Sequence, residues 1–597
     1  MNLRRYIPLL SWLPGYHRRQ FRGDVTAGLT VGVMLIPQGM AYAMLAGMPP
    51  IYGLYASIIP LILYAIFGTS RQLAVGPVAM VALLISSGVG KLAETGSETF
   101  IELAILLALM VGVLQFMLGV FRLGFLVNFL SHPVISGFTS AAALIIGLSQ
   151  LKHLLGVDIP RSHHIHKILI AAGEQIAEIH LPTLILGGIA IGVILLIKRY
   201  LKKIPGPLVA VVLGILAVVG MGLAEGGMKI VGEVPSGLPV PTLPTVDGDA
   251  LASLVPIALT IGLVGFMESI AVAKAIQAKH KDYEIDANQE LIGLGLANIG
   301  GALFRSFPTT GGFSRTAVND QAGAQTGLAS IISAGFIALT LLFLTPLFYY
   351  LPKAILASVI MVAVFGLIDF KEMRHLWKTD RVDLGLLLAT FLATLVLGIE
   401  LGIGVGVALS LIMVIYRSAY PHVAELGRLA GTPYYRNVDR FPDAEQRADV
   451  LVVRFDAQMY FANAGFFRDK IDQLARSKGA ALKLIVLNAE SITFMDSSAV
   501  EMLKEMVRDY RNAGVSLALA SVIGPVRDIL FRSGLVEVLG PDAVFVHCSD
   551  AVDYYDRRRQ TDPDRAEAIA RKPYAKAALQ TNVSAPADPG SDADSGH

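Results

Sequence analysis

Phe307–Gln321 reads FPTTGGFSRTAVNDQ between apolar stretches, and it centres on one arginine, Arg315. A fixed cation at membrane depth costs at least ~2.5–3.5 kcal/mol on insertion scales, so it marks a functional candidate. Gly311 and Gly312, followed by Phe313, Ser314, Arg315 and Thr316, read as unwound backbone running into a helix N-terminus. Such an end carries roughly +0.5 charge and several free N–H groups. A helix start and an arginine in low dielectric together make an anion site. The competing reading is a buried arginine paired permanently with a structural carboxylate.

Glu268 is the carboxylate in question, inside the apolar run Leu259–Lys274. An intramembrane carboxylate serves as proton carrier, ion ligand or partner to a cation. Arg315 and two helix N-termini of roughly +0.5 each sum to about +2, enough to balance a divalent oxyanion. An ionised Glu268 cancels half of that. The site therefore binds a dianion best when Glu268 is protonated, and the expected chemistry is proton–anion symport with Glu268 as the ion-coupling residue.

Polar groups on segment 1 complete the candidate site. In Ile36–Tyr55 (IPQGMAYAMLAGMPPIYGLY) Pro37 frees a backbone carbonyl. Gln38 and Tyr42 place an amide and a phenol one helical turn apart. Helix–helix hydrogen bonding explains either residue alone equally well. Gly76 and Pro77, in a second interrupted stretch, let backbone N–H groups reach an anion directly.

These residues need a membrane to position them. The 597 residues are 54% hydrophobic and 16% charged, with a mean hydropathy of +0.60. Soluble domains carry about 25% charged residues. The 58 glycines suit closely packed membrane helices. A net charge of +2 gives no reason to expect nucleic acid, and the single Cys548 excludes intrachain disulfides and a multi-cysteine metal site. No cleavable signal peptide is expected ahead of the first span.

Fourteen apolar segments are expected, near 24–45, 51–68, 73–88, 100–120, 125–150, 181–199, 206–223, 252–274, 288–304, 312–325, 326–350, 353–369, 382–398 and 400–419. Segments 3 and 10 are short and interrupted by Gly or Pro, and they hold matching places in two halves of seven. Matched broken helices point to an inverted-repeat transporter with its site at the midplane. An even count puts both termini in the cytoplasm. The inner loops then hold Lys198, Arg199, Lys202 and Lys203, then Lys279 and Lys281, then Lys371, Arg374, Lys378 and Arg381. The outer loops hold isolated cations such as Lys91 and Lys229, which is the positive-inside pattern.

After Tyr420 the pattern changes. Asp449–Asp456, Leu482–Asn488 and Val515–Ser521 are β-rich runs alternating with helical patterns at Ala464–Ser477 and Ser498–Ala513, the rhythm of a small α/β domain. The expected division is a cytoplasmic N-terminal segment 1–23, a transmembrane domain 24–420, a linker 421–448, the α/β domain 449–556 and a disordered tail 557–597. His163, His164 and His166, with Lys152, Arg161 and Lys167, read as outer-loop residues rather than a metal site. No Walker-type loop suggests a nucleotide-driven pump, no Ser/His/Asp grouping suggests an enzyme, and no cofactor is expected.

Two stretches carry a family resemblance. PQGMAYA followed by LAGMPPIYGLY, and ESIAVAK continuing through DANQEL and Asn298–Gly301 to TTGGFSRTAVN, resemble the SulP anion permeases, in particular their sulfate-permease branch. The likeness spans about residues 20–555. It implies seven plus seven inverted segments divided into core and gate, a homodimer, and an elevator-like movement in the plasma membrane, of the bacterial inner-membrane type. By position it implies anion contacts at Gln38, Tyr42, Val78, Ser314 and Arg315, and coupling at Glu268. Some relatives hold sodium near that place with an aspartate, and the glutamate here favours protons.

The C-terminal region resembles a STAS domain. Ser491–Val500 (SITFMDSSAV) matches the loop that carries a phosphorylatable serine in bacterial anti-sigma-factor antagonists, with Ala499 where many have glycine. Ser497 is thus a regulatory candidate, and its structural alternative is to cap the helix expected from Ser498. The leading expectation is sulfate transport coupled to protons. Bicarbonate with sodium, or a dicarboxylate, is the alternative within the family. An anion channel of the prestin kind and a STAS-based signalling protein with its own cytoplasmic partner are the alternatives outside that class.

Overall fold

The computed structural model describes residues 6–125, 131–159, 165–201, 205–244, 248–280, 282–540 and 542–559. Arg161, His163, His164, Lys202, Lys203, Lys281, the side chain of His166 and the tail from 560 lie outside the described residues. The chain forms two compact units, Met1–Leu411 and Ile412–His597.

In the first unit, segment 1 is one helix, Arg18–Ala46, and segment 2 is a pair, Ile51–Tyr55 and Ile59–Phe67. Segment 3 is a two-residue strand, β1 (Val75–Gly76), followed by the helix Ala79–Val89. Segments 4 to 9 are Glu98–Val120, His132–Ser149, Leu181–Tyr200, Gly206–Met221, Gly248–His280 and Ala287–Leu303. Segment 10 repeats the form of segment 3, with β2 (Thr310–Gly311) leading into the helix Phe313–Gln321. Segments 11 to 13 are Leu328–Phe343, Lys353–Phe365 and Arg381–Leu397, and segment 14 is Ile399–Ala419, whose residues from Ile412 onward are counted in the second unit. Among the described residues, seven helices are long and apolar enough to cross a membrane by length and composition. The remaining segments are shorter, paired or broken.

The packing follows the internal repeat. Segment 1 packs on 11 and 10, and its counterpart eight packs on 4 and 3. Segment 5 packs on 13, and its counterpart 12 on 6. Segments 2 and 9 pack together, as do 5 and 12 and the strands of 3 and 10. Exchanging the two sets of seven maps each of these contacts onto another or onto itself, as an inverted repeat requires.

Strands β1 and β2 pair antiparallel, Val75 opposite Gly311 and Gly76 opposite Thr310. Non-helical backbone at membrane depth is tolerated only where its polar groups find partners inside the protein. The pair supplies them. Gly76 has φ 150°, a region side chains rarely occupy, and a Cβ there would lie 3.4 Å from Arg315 Nη2. Segments 1 and 2 touch backbone to backbone, since a Cβ on Gly53 would sit 1.9 Å from the Gly39 oxygen.

The second unit is built on a sheet in the order β4-β3-β6-β7-β8-β9, with β5 paired to β3. The strands are β3 (Val423–Leu429), β4 (Tyr435–Asn437), β5 (Ala444–Glu445), β6 (Val450–Phe455), β7 (Leu484–Asn488), β8 (Ser516–Ala520) and β9 (Val544–Phe545). β6 to β9 are parallel, and β3 is antiparallel to β6. Alternate residues of β6 serve two cores: Leu451, Val453 and Phe455 face the helices Ala464–Lys478 and Ser497–Asn512, while Val450 and Val452 face Cys548, Ala551 and Val552. Burial on both faces explains why β6 and β7 read as unbroken apolar runs. The stretch 421–448, expected as a linker, instead contributes β3, β4 and β5. Its strands carry charged residues at a sheet edge, which masks them in a hydropathy reading.

Candidate anion site

Segments 3 and 10 each bring a helix N-terminus to one small cavity of about 60 Å³. Val78, Ala79 and Met80 open the first helix; Gly312, Phe313, Ser314 and Arg315 open the second. Gln38 and Tyr42 of segment 1 and Glu268 of segment 8 line the same cavity, and Ala363, Val364 and Leu367 close it from the chain of segment 12 and just beyond. Residues separated by more than 270 positions in sequence are gathered here because the broken segments 3 and 10 start their helices against the middles of the continuous helices of segments 1 and 8.

Arg315 is 2% exposed. Its Nη1 donates to the carbonyl of Pro77, while Nε and Nη2 are buried without a hydrogen-bond partner. Glu268 Oε2 is also buried without one. Among the described residues no ion pair joins them, so the permanent salt bridge weighed above is not formed. An unpaired buried charge costs several kcal/mol. Two free guanidinium donors and two helix N-termini, aimed at one cavity, are chemically equipped to receive a small oxyanion.

Of the residues singled out in the sequence, Gln38, Tyr42, Val78, Glu268, Ser314 and Arg315 line the cavity. Gly76, Pro77 and Thr316 do not line it. Gly76 is held in β1 against Thr310. Pro77 accepts from the arginine through its carbonyl. The Thr316 hydroxyl accepts the Ala74 N–H at 3.0 Å and ties half-helix 10 to the approach of segment 3.

A polar scaffold that sequence reasoning missed holds these groups in place. Ser269, next to Glu268, accepts the Gly311 N–H at 2.8 Å and shares a 2.7 Å hydrogen bond with Thr310. Asn298 accepts the Thr309 N–H at 2.7 Å and donates to Gln115 at 3.1 Å. Gln72 donates to the Ala324 carbonyl, and its own carbonyl accepts from Asn319. A polar residue inside an apolar run was the available signal, but its partner lies too far away in sequence to be read.

In the second unit Ser497 is the exposed first residue of its helix. The cap is Asp496, whose carboxylate accepts the Ala499 N–H at 2.9 Å and the Phe461 N–H at 2.9 Å. The capping role considered for Ser497 therefore belongs to the residue before it, whose carboxylate suits the positive helix end better than a hydroxyl.

The sulfate permease family model matches residues 21–390, and the STAS domain model matches 441–552. Sulfate transporter 4.1, chloroplastic, of Arabidopsis thaliana is 42% identical over 565 residues, covering 91% of this chain and 82% of that protein. A probable sulfate transporter of Mycobacterium tuberculosis is 35% identical over 554 residues, covering 92% and 99%. Among solved structures, the murine Slc26a9 anion transporter in the inward-facing state superposes with a TM-score of 0.85 at 27% identity, covering 92% of this chain and 94% of that one. The broken helices, the arginine between them and these alignments agree: the chain belongs to the sulfate permease family, as a multi-pass membrane protein with a C-terminal STAS domain.

Proposed function

We propose that this protein is a secondary transporter that carries sulfate together with a proton. The observation that carries the reading is Arg315, buried with two free nitrogens between two helix N-termini. Sulfate fits the charge: the arginine and the helix ends supply about +2. Glu268 reduces that charge when ionised and restores it when protonated, so the proton and the dianion bind together. The nearby relatives named as sulfate transporters support the same substrate.

Segments 1–4 and 8–11 form the body that holds the anion, and segments 5–7 and 12–14 form the wall it moves against. Val364 and Leu367 close the cavity from the wall side, so a sliding of the body past segment 12 alternates access to the two membrane faces. The transporter domain is 24–420, and the STAS domain runs to about 556 with β3 to β5 of 421–448 included in its sheet. Both termini are cytoplasmic, the membrane is the plasma membrane, and the working unit is a homodimer. Ser497, exposed on the STAS unit, is the candidate for regulation.

Labelled sulfate uptake into proteoliposomes, with and without an inward proton gradient, tests the reading. Wild type is expected to be stimulated by the gradient, and Glu268→Gln to lose the stimulation while still binding sulfate. Absence of sulfate uptake under every gradient overturns the substrate. Uptake indifferent to both gradient and mutation overturns the coupling and leaves the anion site.

A further inference from the structure

Two buried carboxylates in the membrane unit have no part in the cavity, and their surroundings match. Asp24, near the start of segment 1, accepts the N–H groups of Gln325 at 2.7 Å and Thr326 at 3.0 Å, the Thr326 hydroxyl at 2.5 Å and the Tyr16 hydroxyl at 3.0 Å. Glu290, near the start of segment 9, accepts the N–H groups of Thr69 at 2.6 Å and Ser70 at 3.1 Å, the Thr69 hydroxyl at 2.6 Å and the Tyr64 hydroxyl at 2.6 Å. Each takes two consecutive backbone N–H groups, the threonine hydroxyl beside them and one phenol. Both are 0% exposed. Among the described residues neither has a cation as hydrogen-bond or ion-pair partner. Each receives four donors, near the capacity of an ionised carboxylate: Asp24 takes two on each oxygen, and Glu290 takes three on Oε1 and one on Oε2.

The loops they hold are the ones that lead into segment 3 and out of segment 10. From those loops a continuous set of hydrogen bonds reaches the anion site. Gln72 donates to Ala324 at 3.2 Å, and Asn319 donates to the Gln72 carbonyl at 2.8 Å. The Ala74 N–H donates to Thr316, and the Gly312 N–H donates to the Ala74 carbonyl at 3.1 Å. Beyond them lie Pro77 and Arg315. The loops are also packed without slack: a Cβ on Gly23 would lie 2.4 Å from the Gly323 oxygen, and one on Gly327 would lie 2.9 Å from the Ala65 oxygen.

We propose that Asp24 and Glu290 are positioning residues for anion binding, which fix the aim of the two half-helix N-termini from the opposite ends of their segments. Neither touches the anion. Each acts by removing the freedom of a loop whose N–H groups would otherwise seek other partners. Because the hydrogen-bonded set runs from loop to site, slack at either carboxylate opens the angle between the two helix starts. Carboxylate chemistry suits the task, since charged hydrogen bonds are shorter and stronger than neutral ones.

This rests on the anion-transport reading, and the test separates the two. Asp24→Ala and Glu290→Ala remove all acceptors, whereas Asp24→Asn and Glu290→Gln keep one amide oxygen and fold if the alanine forms do not. Two quantities are measured on the full chain in detergent. One is peptide-level hydrogen exchange across 69–80 and 311–326. The other is affinity for whichever of sulfate, bicarbonate, oxalate or chloride stabilises wild type most in a thermal shift. Alanine is expected to weaken the anion about tenfold to a hundredfold and the amides less, in line with loss of a buried charged hydrogen bond. Faster exchange is expected to reach residues 76–80 and 312–316. Faster exchange confined to 69–70 and 325–326, with site exchange and anion affinity as in wild type, overturns the proposal. If sulfate is not the stabilising anion, the substrate assignment falls while positioning is judged on the anion that is. If none of the four stabilises, the anion-site reading falls and exchange at 76–80 and 312–316 alone decides whether the carboxylates order those helix starts.

Discussion

Arg315 and Arg447 show two opposite treatments of the same side chain. Arg447, in the α/β unit, meets Asp556 at 2.6 and 2.8 Å and Asp449 at 3.0 and 2.9 Å. Hydrogen bonds to Asp556 and Asp449 outweigh its desolvation and hold its proton more tightly than usual. It is partly exposed, at 38% of its side chain, and still has a carboxylate partner on each of its three nitrogens. Arg315 is buried and keeps two nitrogens idle. Where the fold uses an arginine as a clamp it completes the pairing; at Arg315 it leaves two buried nitrogens open, where the proposed anion would be the partner.

Arg315→Gln is the strongest way to break this contrast. Uptake should fall at least about a hundredfold, because the loss of a charged partner for a buried dianion exceeds ~2.7 kcal/mol. The melting temperature without anion should hold or rise, since an unpaired buried charge is destabilising. A drop in melting temperature with uptake retained would place Arg315 among the structural clamps. Arg315→Lys should rescue little, as a point charge cannot serve Pro77 and the cavity together.

Arg447→Gln should do the reverse. It leaves Asp449 and Asp556 facing each other and should cost the second unit about 1–2 kcal/mol, discounted for part exposure. Urea unfolding of the full chain, followed by a probe on that unit, reads this, and the sulfate KM should stay within twofold or so. Asp496→Ala comes next, at about 1 kcal/mol for a lost helix cap. Ser497→Ala should stay within ~0.5 kcal/mol by the same melt. Equal effects would contradict the assignment of the cap to Asp496.

The smallest effect concerns acid. Burial alone would raise the Asp456 carboxyl, but hydrogen bonds from Arg454 and His422 outweigh it and hold it below its usual 3.8. A lowered folded-state value adds stability that is complete above the ordinary carboxylate range and fades as pH falls through it. Asp456→Asn should therefore flatten the stability of the second unit across roughly pH 5 to 2 and change little at pH 7. A parallel acid loss in mutant and wild type would assign the sensitivity to other carboxylates.

Much of this molecule was legible in its sequence. Fourteen segments, the two breaks and the cavity residues Gln38, Tyr42, Glu268 and Arg315 follow from polarity misplaced in apolar runs. Three things were not legible. The hydrogen bonds of Asp24 and Glu290 could not be read, because their partners lie 302 and 221 residues away. Strands β3 to β5 were hidden by charged edge residues. Thr316, Gly76 and Pro77 sit beside the site in sequence, yet their polar groups serve the scaffold, a choice decided by orientation within a single helical turn.

The antiparallel meeting of β1 and β2 has a consequence for how the protein is made. Ala74 and Thr316 are 242 residues apart, a gap of roughly 12–50 s at 5–20 residues synthesised per second. Through that interval the first half of the chain holds an extended stretch whose backbone groups have no native partner, and hydrocarbon offers none. Segment 3 therefore has to wait in a wetter place, at the membrane surface or beside the insertion machinery, until segment 10 emerges. The half made first is not half a transporter but an unfinished one, and a chain cut after segment 7 should be recognised by the cell as damaged rather than stored as a stable fragment.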